Sequence, residues 1–181
     1  METAKDWAQI VSWIVASLGG VFAAFYAIYQ MQQNREQRKD ELRFKKLQES
    51  KELLDQLFDD ERSNNFMRML DWSGRKYEIE KDRRETITQD ELYVALRIAD
   101  LSFDAKQAYI RDCADSFFGT ADMIGHYVRM QLVLEEVVSQ PLLYYVQEMN
   151  RKSAVFVNFM EAYGYDRALG LFDKILPNWR S

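Results

Sequence analysis

His126 and Cys113 are the only histidine and the only cysteine in the chain, and that scarcity sets the chemistry open to it. A Ser-His-Asp arrangement, a pair of zinc-binding histidines one helical turn apart and a His/Cys zinc cluster cannot be assembled in their usual forms. His126 stands between Gly125 and Tyr127 in an apolar stretch and reads as a core or interface histidine. Cys113 reads as a small apolar core residue. A lone cysteine forms no intramolecular disulfide, which fits a reducing compartment. No glycine-rich phosphate loop of the common nucleotide-binding folds is present. Asp59 with Asp60 and Glu135 with Glu136 are adjacent carboxylates that point in different directions on a helix, so both pairs read as solvated charge. The aromatic set Phe117, Phe118, Tyr127, Tyr144, Tyr145, Phe156, Phe159, Tyr163 and Tyr165 reads as core rather than as a ligand box. The expectation is a non-enzyme with no catalytic residue, no cofactor and no metal.

The elements that would position these side chains are helices. Seven glycines and two prolines in 181 residues are too few for the turns of an all-β protein, while 48% hydrophobic and 14% aromatic residues suffice for a buried core. The expected fold class is all-α. A net charge of −5 and a pI near 5.1 lack the basic excess of a nucleic-acid binder, so direct nucleic-acid binding is not expected.

From Ile10 to Tyr29 the chain carries no charged residue. At about 1.5 Å per residue this run crosses about 30 Å of hydrocarbon as a helix. Trp7 and Trp13 lie toward one end and Tyr26 and Tyr29 mark the other, where amphipathic rings favour the headgroup region. The expectation is a short extracytoplasmic N-terminus over residues 1–9, a transmembrane helix over 10–31, and a stalk with a cytoplasmic helical domain over 32–181. Arg35, Arg38, Lys39, Arg43, Lys45 and Lys46 follow the span and place the C-terminus in the cytoplasm, the protein being a single-pass component of the inner membrane. Within the span Ser12, Ala16, Gly20 and Ala24 form one row of small residues, and Gly19, Ala23 and Ala27 a neighbouring one. Such rows let helix backbones approach closely, so a homo-oligomer is expected, and two faces suit a ring better than a pair.

Beyond the span the helix continues to about Phe58, with Leu42, Leu47, Leu53, Leu54, Leu57 and Phe58 as the apolar stripe of a first core helix. A second helix is expected over Ser63 to Trp72, capped by Ser63 or Asn64. The charged stretch 73–91 reads as a mobile loop. Thr88 and Glu91 have capping-box spacing and open a helix to about Leu101. Asp104 caps the next, which runs toward Val138 with a disturbance near Gly119 or Gly125. Gln140-Pro141 starts another, which Gly164 ends. A last helix spans about Asp166 to Leu176. The sum is a bundle of five or six helices.

This order of features resembles small bacterial single-span membrane proteins of unknown function, over ELRFKKLQESKELLDQLFDDERSNNFMRMLDW and YIRDCADSFFGTADMIGHYVRMQLVLEEVVSQPLLYYV. The layout is also similar to the membrane-anchored accessory proteins of type VI-B CRISPR systems, whose helical domain is related to the HEPN ribonucleases. That resemblance implies a ring-shaped pore, an RNA-guided nuclease as partner, the lipid bilayer as site of action and a role in antiviral defence. The HEPN ribonuclease motif is an Arg, then four to six intervening residues, then a His. Counting back from His126, those positions hold Ala121, Thr120 and Gly119, so the ribonuclease pair is absent; the alternative readings are a membrane-tethered helical scaffold that recruits a cytoplasmic partner and a divergent HEPN-like ribonuclease.

Overall fold

The computed structural model describes the backbone of residues 2–98 and 102–180, and the side chains of 26–98 and 102–180. The described chain is mostly helical: α1 (Glu2–Asp59), α2 (Glu61–Asp71), α3 (Gln89–Ala95), α4 (Ala105–Arg129), α5 (Glu135–Asn150), α6 (Ser153–Tyr163) and α7 (Asp166–Ile175). The chain divides into two compact units, residues 1–45 and 46–181. The first is the earlier part of α1. Among the described residues no helix is long and apolar enough to cross a membrane. The side chains of 10–25, most of the expected span, lie outside the described residues.

The second unit is built around α4. Ile110, Cys113, Ala114, Phe117, Phe118, Ala121 and Ile124 are all fully buried, and their recurrence at three- and four-residue intervals covers one broad face of that helix. α4 packs most extensively against α7 and α2, and also touches α3. Phe66 of α2 lies 5.0 Å from Phe117 and 5.2 Å from Phe118, ring centre to ring centre, while Phe159 of α6 lies 5.9 Å from Phe118. α5 packs on α7 and α2. The C-terminal segment is held by Trp179, fully buried with its ring 5.6 Å from Phe172 and nearly perpendicular to it.

Helix ends follow local chemistry. Thr88 and Glu91 form the expected capping box at α3, and Asp104 with Gln107 forms one at α4. α2 starts earlier than expected because Asp60, not Ser63 or Asn64, is its cap. α3 ends at Ala95 rather than near Leu101. α4 runs unbroken through Gly119 and Gly125 and stops at Arg129 instead of continuing to Val138. There Gln131 takes a left-handed conformation (φ 55°), Leu132 N–H bonds the Tyr127 carbonyl and Gln131 N–H that of Val128, which closes the helix without glycine. α5 begins at Glu135, so Pro141 lies inside it; the start is pinned by Leu134 N–H donating to Ser50 Oγ at 2.9 Å. The helix expected to reach Gly164 is broken at Arg151 and Lys152 into α5 and α6, and Gly164 (φ 76°) ends α6.

Two further readings are corrected. The stretch expected as a loop contains an antiparallel hairpin, β1 (Arg75–Glu80) and β2 (Arg83–Ile87). Tyr77, Ile79 and Ile87 are buried, so alternate residues anchor it to the core, with Arg75 and Glu85 half-buried on the same face and Lys76, Glu78 and Glu80 exposed on the other. Leu42 and Leu47 are exposed; the stripe of α1 that enters the core is Leu53, Leu54 and Leu57 with Phe58 packed against it.

Gly125 marks where α7 crosses α4: a Cβ there would lie 2.3 Å from the Arg167 carbonyl oxygen, whereas one at Gly119 or Gly170 meets nothing within 4 Å. Gly125→Ala should therefore lower unfolding free energy by about 1–3 kcal/mol as the helices are forced apart. Gly119→Ala and Gly170→Ala should each raise it by up to about 1 kcal/mol through helix propensity. Urea unfolding of the three variants checks the opposite signs.

Candidate functional site

The residues with intrinsic reactivity are placed as structural groups. Cys113 is fully buried, and burial pushes its thiol up to about 12. His126 is half-buried near the C-terminal end of α4, edge-on to Tyr127, and its Nδ1 has no hydrogen-bond partner among the described residues. No three His, Cys, Asp or Glu side chains among the described residues converge on a point that could hold a metal. Of the aromatic set, Phe117, Phe118, Phe156 and Phe159 are fully buried, whereas Tyr144 and Tyr163 remain exposed over nearly half their surface.

Asp60 is not simply solvated charge. Its carboxylate accepts from Ser63 N–H at 2.7 Å, which caps α2, and from Ser116 Oγ at 2.6 Å, which ties that cap to α4. Burial alone would push the carboxyl up. The bonds from Ser116 and Ser63, with the charge of Arg62, more than offset this and hold it below its ordinary value of 3.8. Asp122 holds the start of α7, accepting from the backbone N–H groups of Arg167 at 2.8 Å and Ala168 at 3.1 Å. Glu135 reaches Lys174 at 2.9 Å.

Arg111 is the buried cation of the unit, only 7% exposed. It donates to the carbonyls of Ala95 at 2.7 Å and Arg97 at 3.3 Å, where α3 ends, and to the Tyr163 hydroxyl of α6. Its guanidinium lies 4.1 Å from the Phe103 ring centre and 5.0 Å from that of Phe159. One turn along α4, Asp115 accepts from Tyr165 Oη at 3.0 Å; burial raises its pKa more than that bond and the charge of Arg111 lower it. Arg111, Tyr163, Asp115 and Tyr165 thus join α3, α4 and the α6–α7 corner. The type sequence of α4 does not separate Arg111 from a surface arginine; its place in the apolar period, one residue after Ile110, is the signal that would have found it.

The membrane-flank residues are described in part. Arg35, Arg38, Lys39, Arg43 and Lys45 are exposed, and Lys46 is half-buried. Lys39 pairs with Glu36 at 2.8 Å. Of the small-residue rows, Ala27 is exposed, while Ser12, Ala16, Gly19, Gly20, Ala23 and Ala24 have side chains outside the described residues.

The Asp60 cap gives a pH test. Its folded pKa lies below the unfolded one, so its contribution is fully present above pH 3.8 and is lost as pH falls through the lower folded value. Asp60→Ala should cost about 1 kcal/mol at neutral pH. In urea unfolding followed from pH 7 to pH 3, the gap between wild type and variant should narrow only at the acid end.

Comparison with protein-family models, with curated proteins and with solved structures finds no match.

Proposed function

We propose that this chain is a single-span protein of the inner membrane, with its C-terminal helical unit in the cytoplasm, and that it acts by self-association rather than by catalysis. The observation that carries the reading is the surface of α1 at the end of the uncharged run. Tyr26, Ile28, Tyr29 and Met31 are 54–63% exposed. At about 100° per residue they point to all sides of the helix, so no face is reserved for water, as a stripe docking on one soluble partner would leave. The flank of Arg35, Arg38, Lys39, Arg43 and Lys45 begins one turn later, and cations there favour the cytoplasmic side and anionic headgroups.

Two features support self-association. The rows Ser12, Ala16, Gly20, Ala24 and Gly19, Ala23, Ala27 offer close-packing faces within the span. Leu42, Phe44 and Leu47, 44–67% exposed, add apolar surface in the aqueous stretch of the same helix. A ring uses two unlike faces of each copy, which these rows supply. Antiviral defence beside an RNA-guided nuclease is the setting that the resemblance in layout implies.

A reporter fused after Ser181 should report the cytoplasm; extracytoplasmic activity of that fusion would overturn the orientation. The mass of the detergent-solubilised chain should be that of an oligomer, and Gly20→Leu should shift it toward the monomer while membrane insertion persists. A monomeric wild type would remove self-association, and an unchanged Gly20→Leu oligomer would move the interface to Leu42, Phe44 and Leu47.

A further inference from the structure

The charged hairpin forms one wall of an open, shallow cavity that neither self-association nor membrane attachment requires. It has a volume of about 260 Å³ and lies between β1, the Glu61, Asn65 and Arg68 face of α2, and Tyr109 of α4. Spacings of four and three residues set those α2 side chains on one stripe facing the hairpin.

The cations around the hairpin differ in their partners. Arg83 is engaged by Glu80 at 3.2 Å and by Glu85, and Lys106 by Glu85 at 3.3 Å and Glu91 at 2.9 Å, so both are neutralised locally. Another set lines the cavity. Arg68, Arg75, Lys76 and Arg84 line it, against Glu61 and Glu78. Glu78 is held by Arg84 at 3.3 Å. No carboxylate among the described residues lies within ion-pair distance of Arg68, Arg75 or Lys76, although the chain as a whole carries a net charge of −5. Arg75 is kept in place by the Trp72 ring, 4.9 Å from its guanidinium.

The neutral lining also supplies hydrogen-bonding groups. Asn65, 8% exposed, donates through Nδ2 to Tyr109 Oη at 2.8 Å, which fixes both side chains at the wall. Burial raises the Tyr109 pKa, so its hydroxyl keeps its proton. Tyr77 contributes to the lining and is 5% exposed, and its hydroxyl has no hydrogen-bond partner among the described residues.

We infer that this cavity binds a phosphoryl group through Arg68, Arg75 and Lys76. Three cations without carboxylate partners match a multiply charged oxyanion, and the two guanidinium forks suit phosphoryl oxygens, which accept paired hydrogen bonds. The volume admits the body of a small phosphate ester behind the phosphoryl group, and a lipid headgroup presents the same chemistry.

The test uses the full chain in detergent with inorganic pyrophosphate, measured by calorimetry, and a parallel arm with phosphatidylcholine vesicles containing phosphatidic acid. Pyrophosphate should bind with a Kd below ~1 mM. Arg68→Gln with Arg75→Gln should weaken it at least ~10-fold, and Lys76→Gln, an exposed position, should weaken it ~3-fold or more. Arg35→Gln with Arg38→Gln should leave it unchanged, which separates the cavity from the membrane flank. Loss of vesicle binding in the Arg68 and Arg75 variant, with pyrophosphate silent in wild type, would assign the phosphoryl group to lipid. Equal pyrophosphate affinity in wild type and in all cavity variants would overturn the inference, as would no binding up to ~10 mM together with vesicle binding indifferent to the cavity variants. Neither result bears on the orientation or mass of the protein, so failure here is distinguishable from failure of the membrane reading.

Discussion

Complete burial of two consecutive phenylalanines, Phe117 and Phe118, is the constraint on which the helical unit depends. Neighbours on a helix diverge by about 100°, so each ring needs further partners beyond the one that both share. Phe66 of α2 reaches both rings, Tyr145 of α5 lies 6.5 Å from Phe117, and Phe159 and Tyr165 lie 5.9 Å from Phe118. α4 is thereby enclosed by elements from before and after it in sequence. The crossing of α7 at Gly125 follows from the same demand, because α7 must come close enough to bury its own Leu169, Leu171 and Phe172.

Within that apolar frame the buried polar groups act as pins between distant parts of the chain. Ser50 accepts from Leu134 N–H, 84 positions away, and donates to the carbonyl of Lys46 at 2.6 Å, so it fixes the start of α5 on the last turns of α1. Ser116 donates to the Asp60 carboxylate across 56 positions and accepts from Ser63 Oγ across 53. Arg111 closes the end of α3 against α6. A buried donor or acceptor without its partner costs roughly 1–3 kcal/mol, whereas an apolar contact tolerates a shift. The aromatic contacts therefore set which helices meet, and these bonds set their register.

This division explains what was legible in the sequence. Signals contained in a few adjacent residues were readable: the Thr88–Glu91 and Asp104 caps, Gly164 as a helix end, and the helical content itself. Ends fixed by partners far along the chain were not. Nothing near Leu134 announces a helix start, because the group that receives its N–H is Ser50. Gln131 carries no glycine-like mark for its left-handed cap. In the hairpin, Tyr77 and Ile79 do alternate with charged residues, a strand signal, but the density of Arg and Glu around them masked it. Leu42 and Leu47 fit the apolar period of α1 as well as Leu53 and Leu54 do; periodicity selects a face and does not say how far along the helix the core extends.

A shallow cavity with three unpaired cations has few ways to bind one phosphoryl group tightly, since each cation is partly solvated and screened by salt. Self-association changes the arithmetic. Copies held together through the span would present repeated cavities at a local concentration fixed by the assembly, so a ligand with several phosphoryl groups would engage the second cavity as an intramolecular step. Modest affinity at each cavity then becomes a sensitive response to assembly, because occupancy rises steeply only when copies are gathered. Around the hairpin, Arg83 and Lys106 are engaged by neighbouring carboxylates while Arg68, Arg75 and Lys76 at the cavity are not, so the field that attracts an anion is stronger at the cavity than beside those pairs.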